Sequence, residues 1–154
     1  MKKGFTIIEM LIVIAIIAVL VGIALPRLRS MQMEGDYAKG AGELRTLQAG
    51  VESYYIHNDR AYPAQSTSGT TSWQSALTGA TPQIIGGTLG DAFLPGTQYR
   101  YATSAASSSE YYVIFSTGPD RAADITGIST AGAIAGTPDD DIYVSNGQSA
   151  TSGF

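Results

Sequence analysis

Apolar residues follow two different rhythms along this chain. From Phe5 to Leu25 they form an almost unbroken run, with one acid, Glu9, set near its start. The run is about 21 residues long, close to the roughly 20 that a helix needs to cross a bilayer. Beyond Pro26 the rhythm becomes a stripe: Leu28, Met31, Met33, Tyr37, Ala41, Leu44, Leu47, Val51 and Tyr55 recur at helical steps. Glu34, Asp36, Lys39, Glu43, Arg45 and Glu52 occupy the other faces. The pattern predicts one long helix ending near Asn58-Asp59, because the residue before Pro63 avoids the α region. From Phe5 to Asn58 this is about 54 residues, or roughly 80 Å at the helical rise. Pro26 removes a backbone donor, so a kink or local unwinding is expected between Gly22 and Pro26. Gly35, Gly40, Gly42 and Gly50 each cost the helix about 1 kcal/mol but let other segments approach it closely.

After Pro63 the chain turns polar and small. Gln65–Ser72 (QSTSGTTS) is a loop by composition, and Trp73–Leu77 is expected to form a short helical turn with Trp73 and Leu77 inward. Gly86-Gly87 and Gly90 mark another loop. Gln98–Thr103 (QYRYAT) alternates, with Tyr99 and Tyr101 on one face and Arg100 on the other. Tyr111–Ser116 (YYVIFS) is a β-branched and aromatic run. The small polar connection Ser104–Ser109 predicts that these two strands pair as an antiparallel hairpin, with Asp141–Val144 as a third short strand. Laid against the C-terminal part of the helix, such a sheet buries its tyrosines. The fold class is α+β.

Charge assigns sides. Lys2 and Lys3 precede the apolar run and no acid does, which by the positive-inside rule holds the N-terminus in the cytoplasm. From Arg60 onward the cations are Arg60, Arg100 and Arg121, against Asp91, Glu110, Asp120, Asp124, Asp139, Asp140 and Asp141. So acidic a surface is a poor partner for nucleic acid. Cysteine is absent, which excludes disulfides and cysteine-ligated zinc. A cleaved secretory signal is the competing reading of the N-terminus, but the run exceeds the usual 7–15 residues and contains an acid. The one histidine, His57, lies near the helix end where a cation suits the macrodipole. No nucleophile elbow, paired histidine ligands or phosphate loop is present, and the chain is read as a non-enzyme. The nine tyrosines are accounted for as core positions of sheet and helix.

Gly4-Phe5-Thr6-Ile7-Ile8-Glu9, followed by an apolar run to Pro26, resembles the N-terminal signature of type IV pilins and type II secretion pseudopilins. The resemblance implies that a membrane peptidase cuts between Gly4 and Phe5 and methylates the new terminal amine. It divides the chain into a leader (1–4), a transmembrane and polymerisation helix (5–26), an amphipathic continuation (27–58) and a periplasmic globular domain (59–154). A carboxylate at the centre of a membrane helix costs about 2.5–3.5 kcal/mol, and less near the edge. Glu9 on one subunit facing the freed amine of a neighbour would offset two such penalties and set register, as a buried polar residue does in a coiled coil.

The resemblance extends to the other end. Asp91-Ala92-Phe93, Tyr99-Arg100-Tyr101, Phe115-Ser116-Thr117-Gly118-Pro119-Asp120 and Asp140-Asp141-Ile142 are similar to the C-terminal pattern of major pseudopilins. Ala92 stands where that family usually has proline, Arg121 where it has glycine, and the loop 121–138 is longer. In the family a calcium ion holds this loop. Carried over, Asp120, Asp140 and Asp141 supply carboxylates and Thr117 a carbonyl, with Asp124 and Asp139 as further acids nearby. Carboxylates gathered without cations suit a hard cation of six to eight oxygen ligands, although an acidic solvated turn has the same composition.

The function so implied is that of a major pseudopilin: a single-pass inner-membrane precursor, trimmed by prepilin peptidase, that polymerises into a periplasmic filament driving folded proteins through the outer membrane. The expected partners are further copies of the chain, minor pseudopilins, an inner-membrane platform and a cytoplasmic ATPase. The alternative is a type IV pilin of a surface fibre for adhesion or motility.

Overall fold

The computed structural model describes residues 5–65, 73–104 and 110–147. The leader with Gly4, most of the 65–72 loop and the 105–109 connection lie outside the described residues. Helix α1 spans Ile7–His57, and helical geometry continues without a break through Gly22 and Pro26, where a kink or unwinding was expected. The chain divides into two units, 1–35 and 36–154.

In the first unit every described residue is exposed. Its helix is long and apolar enough to cross a membrane, and among the described residues none of that stretch is buried. Ile7 is 85 % exposed and Leu20 61 %. So much bare hydrocarbon is unfavourable in water at about 25 cal/mol per Å².

In the second unit α1 turns amphipathic in fact as well as in pattern. Leu44, Leu47 and Val51 are fully buried, whereas Leu28, Met31 and Met33, earlier on the predicted stripe, are exposed. Two of the four glycines make close approaches. A Cβ on Gly40 would lie 3.3 Å from Ile142 Cδ1, and one on Gly50 would lie 3.4 Å from both Ile85 and Leu77, while Gly35 and Gly42 face open space. The helix ends as Asp59 and Arg60 adopt left-handed backbone angles, φ 51° and 59°. The Arg60 N–H then donates to the Tyr55 carbonyl.

The predicted sheet forms. Strands β1 (Arg100–Thr103), β2 (Tyr112–Phe115) and β5 (Tyr143–Ser145) pair antiparallel in the order β1-β2-β5. Arg100 lies opposite Phe115, and Phe115 opposite Tyr143. One face carries Tyr101, Tyr112 and Ile114 into a core with Leu44, Leu47, Val51, Trp73 and Leu77, the last in the short helix α2 (Gln74–Thr78). Trp73 stacks on Tyr101 at 4.7 Å, and its indole N–H donates to the Tyr99 carbonyl at 2.7 Å. That is the inward, structural place expected for the tryptophan.

The other face is covered by strands where the sequence pattern predicts only a loop. Within 121–138, Ile125–Ile128 (β3) and Ile134–Gly136 (β4) form a second antiparallel sheet with a bulge between Ile125 and Gly127. Ile125 and Ile128 pack with Ala102, Val113, Phe115 and Tyr143. This explains why every residue of β2 is buried rather than alternate ones.

Candidate functional site

Two groups of residues carry chemistry, one in each unit. At the start of α1, Thr6 precedes the first helical residue. The Glu9 N–H donates to Thr6 Oγ1 at 3.3 Å, while the Thr6 N–H and hydroxyl both reach Glu9 Oε2 at 3.4 Å. This is a capping box, in which an N-cap threonine and a glutamate three residues on satisfy each other's orphan donors. The bonds are long, so Glu9 is oriented by Thr6 rather than consumed by it. The T-x-x-E spacing was legible in the sequence but was read only as part of the N-terminal signature. Phe5, Gly22 and Pro26 lie on the exposed apolar stretch, with nothing within 4 Å of a Cβ placed on Gly22.

The second group lies where β2 ends and the chain returns to β5. The turn begins at Gly118 (φ 63°), and the Arg121 N–H closes it on the Gly118 carbonyl at 3.2 Å. The Asp120 N–H donates to Asp140 Oδ2 at 3.2 Å, bringing together two acids twenty positions apart. Asp124 joins them: the carboxylates of Asp120, Asp124 and Asp140 each place an oxygen within 4.8 Å of the others. Asp124 comes from the foot of the β3–β4 hairpin, and only the hairpin's folding delivers it.

The other residues expected at the site make contacts of their own. Asp141 Oδ2 accepts the N–H groups of Asp124 and Ile125, both at 2.8 Å, so this carboxylate brackets the first residue of β3. Burial, with some help from the nearby Asp124 and Asp140 charges, raises its pKa above 3.8 despite those two backbone donors. Thr117 gives its N–H to Asp91 Oδ2 at 3.1 Å and its hydroxyl to the same oxygen at 3.4 Å. Asp139 is exposed. The structure thus brings Asp124, expected only as a further acid nearby, to Asp120 and Asp140, and puts Asp91 on Thr117; chain spacing carries no record of a hairpin folding back over a sheet.

The chemistry of the donor set fits a cation. Within the cluster, Asp140 Oδ1 is buried and accepts no hydrogen bond from the described residues. Such carboxylate oxygens are costly unless a positive charge or a donor reaches them. Calcium would draw on Asp120, Asp124 and Asp140, with backbone carbonyls making up its oxygen shell.

Against this geometry, residues 1–25 match the family model for the prokaryotic N-terminal methylation motif. The matches with whole proteins are also partial. The type II secretion system core protein G of Pectobacterium carotovorum subsp. carotovorum is 30 % identical over 63 residues, 41 % of this chain and 40 % of that protein. The type IV major pilin protein PilA of Myxococcus xanthus (strain DK1622) is 34 % identical over 59 residues, 38 % of this chain and 27 % of that protein. The chain therefore spans less than half the length of these curated relatives. No solved structure matches it. The N-terminal region carries the N-methylation motif of prokaryotic pilins, and together the matches support the type IV pilin superfamily.

Proposed function

We propose that this chain is a filament subunit, the major pseudopilin of a type II secretion system. The observation that carries the reading is the conjunction of the methylation motif over residues 1–25 with an apolar helix whose described residues up to 35 are all exposed. Such a surface needs lipid before assembly and sister helices after it. The subunit waits in the inner membrane with its N-terminus cytoplasmic and residues 59–154 periplasmic. Prepilin peptidase cuts after Gly4, and Phe5 becomes the methylated terminus. Glu9, held at the membrane edge by its capping box with Thr6, meets the freed amine of the neighbouring subunit as the helix leaves lipid. Gly22 and Pro26 mark the stretch of α1 that unwinds most readily on assembly, since proline leaves one helical hydrogen bond unmade and glycine is a weak helix former. A cytoplasmic ATPase, an inner-membrane platform and minor pseudopilins assist polymerisation, and the growing filament drives folded proteins across the outer membrane. The chain itself performs no reaction.

Calcium belongs to the same reading as a structural ion of the acidic loop, held by Asp120, Asp124 and Asp140. It supplies positive charge that joins the foot of the β3–β4 hairpin to the turn after β2. The lack of cysteine and the Gly118-Pro119-Asp120…Asp140-Asp141-Ile142 pattern favour a pseudopilin. The similarity to a type IV major pilin supports the second reading, a subunit of a surface fibre for adhesion or motility.

Mass spectrometry of the chain recovered from membranes tests the processing, which should leave Phe5 as an N-methylated terminus. Glu9→Leu should insert and be cleaved yet give no filaments. Wild-type filaments from that variant would refute the register role. Loss of protein secretion without loss of surface fibres on deletion favours the pseudopilin, and the converse favours the pilin.

A further inference from the structure

Asp91 is a carboxylate with 4 % of its surface exposed, and no basic side chain among the described residues pairs with it. A buried charge of this kind is tolerated only when fully hydrogen-bonded. Two segments of the chain supply the donors. Oδ1 accepts the Phe93 N–H at 2.9 Å and the Ser116 hydroxyl at 2.6 Å. Oδ2 accepts the Thr117 N–H at 3.1 Å, with the Thr117 hydroxyl farther off at 3.4 Å.

The two segments lead in opposite directions. Phe93 packs edge-on against Tyr37 of α1 with ring centres 5.0 Å apart, and lies over Gly40. Ser116 and Thr117 run straight into Gly118, which rests on Asp140, and into Asp120, whose N–H is bonded to Asp140. We infer that Asp91 is the positioning residue of the acidic loop: it clamps Ser116 and Thr117 so that the following turn presents Asp120 to Asp140, and it ties that turn to the Tyr37–Gly40 face of α1. Asp91 is not among the three clustered acids and acts through the peptide it holds. The effect on cation binding rests on the calcium reading of the loop; the clamp itself does not.

The test uses the full-length chain in detergent. Asp91→Asn keeps the shape but turns an amide N–H₂ toward one side or the other; the hydroxyl there can turn to accept, but the backbone N–H of Phe93 or of Thr117 loses its acceptor. In calcium-free protein, hydrogen exchange at whichever of the Phe93 and Thr117 amides faces the N–H₂ should accelerate at least tenfold. Calcium titration should give a dissociation constant at least tenfold weaker than wild type. Val51→Ala, a core truncation remote from the loop, should lower the melting temperature without changing that constant. Should Asp91→Asn fail to fold, Ser116→Ala, which removes the shortest of the four bonds, should weaken calcium binding severalfold in a folded protein. Unchanged exchange at Phe93 and Thr117 would overturn the clamp, and wild-type calcium affinity in Asp91→Asn or Ser116→Ala would overturn its coupling to the loop. If wild type itself shows no calcium response, the calcium reading falls and the exchange measurement alone decides the role of Asp91.

Discussion

Gly118 lies so close to Asp140 that a Cβ on residue 118 would fall 2.7 Å from the Asp140 carbonyl oxygen and 2.9 Å from its Cγ. Its φ of 63° is also in the region that side chains avoid. The glycine therefore lets the turn after β2 dock on the strand that returns to β5, which is how Asp120 reaches Asp140. Gly118→Ala should cost about 1–3 kcal/mol, the usual penalty for a strained backbone position, with the contact adding to it. Thermal melting of the full chain measures it, and a melting temperature equal to wild type would show that the turn is not packed this way.

Chelation should lower the melting temperature, because an ion that binds only the folded state stabilises it by linkage. At calcium one hundredfold above its Kd the gain is about 2.7 kcal/mol. Asp124→Asn should abolish most of the calcium-induced rise. A melting curve indifferent to calcium would remove the metal from this loop.

Asp141→Asn separates a ligand from a bracket. The asparagine carbonyl can still accept the Asp124 and Ile125 N–H groups, so β3 keeps its anchor, and calcium affinity should change little. The pH profile should change more. Folded Asp141 holds its proton more tightly than the ordinary 3.8 of the unfolded chain. The folded state thus binds more protons above that value, and stability from this residue falls as pH rises from about 4 through its folded pKa. In calcium-free protein the asparagine variant should lack that decline. Loss of calcium binding on this substitution would instead make Asp141 a ligand.

Two neighbouring tyrosines of one core should respond oppositely to loss of the hydroxyl. Tyr112 donates to Glu52 Oε1 at 2.7 Å, joining β2 to α1. Tyr112→Phe strands that carboxylate and should destabilise by about 1–3 kcal/mol. The buried Tyr101 hydroxyl has no hydrogen-bond partner among the described residues. Tyr101→Phe should be neutral or stabilising by about 1 kcal/mol. Equal destabilisation in chemical denaturation of both variants would contradict the assignment.

Alkali should unfold the domain cooperatively. Burial raises Tyr62 to about 12 and raises Tyr99, Tyr101 and Tyr112 further, with the hydrogen bonds of Tyr99 to Glu43 and of Tyr112 to Glu52 adding to it. The unfolded chain releases these protons near 10.0 and the folded chain does not, so stability falls once pH passes 10. Tyrosinate absorbance and loss of near-ultraviolet circular dichroism should rise together above that pH. Gradual ionisation with the fold intact would show that these phenols are open to solvent.

The long helix, the β1–β2 hairpin and the third strand were legible because each writes its own period into adjacent residues. The stripe through Leu44, Leu47 and Val51 and the alternation of Tyr99, Arg100 and Tyr101 are local facts. Strands β3 and β4 were not legible. Ile-Thr-Gly-Ile and Ile-Ala-Gly are too short and too rich in small residues to declare a strand, and they form one because β2 has a second apolar face to cover. Leu28, Met31 and Met33 carry the same stripe but belong to the first unit, where every described residue is exposed, so period alone does not reveal burial.

By itself the sequence determined the membrane-length helix with its single acid, the N-terminal methylation motif, the α+β class and the acidic character of the C-terminal loop. These follow from residue types and spacings within a few turns of chain. Only the tertiary structure decided that Asp124 rather than Asp141 completes the cluster with Asp120 and Asp140, and that Asp91 holds Thr117. Carboxylates far apart along the chain meet only after a hairpin folds across a sheet. Which oxygen is left unsatisfied depends on burial, and burial belongs to the whole packed domain.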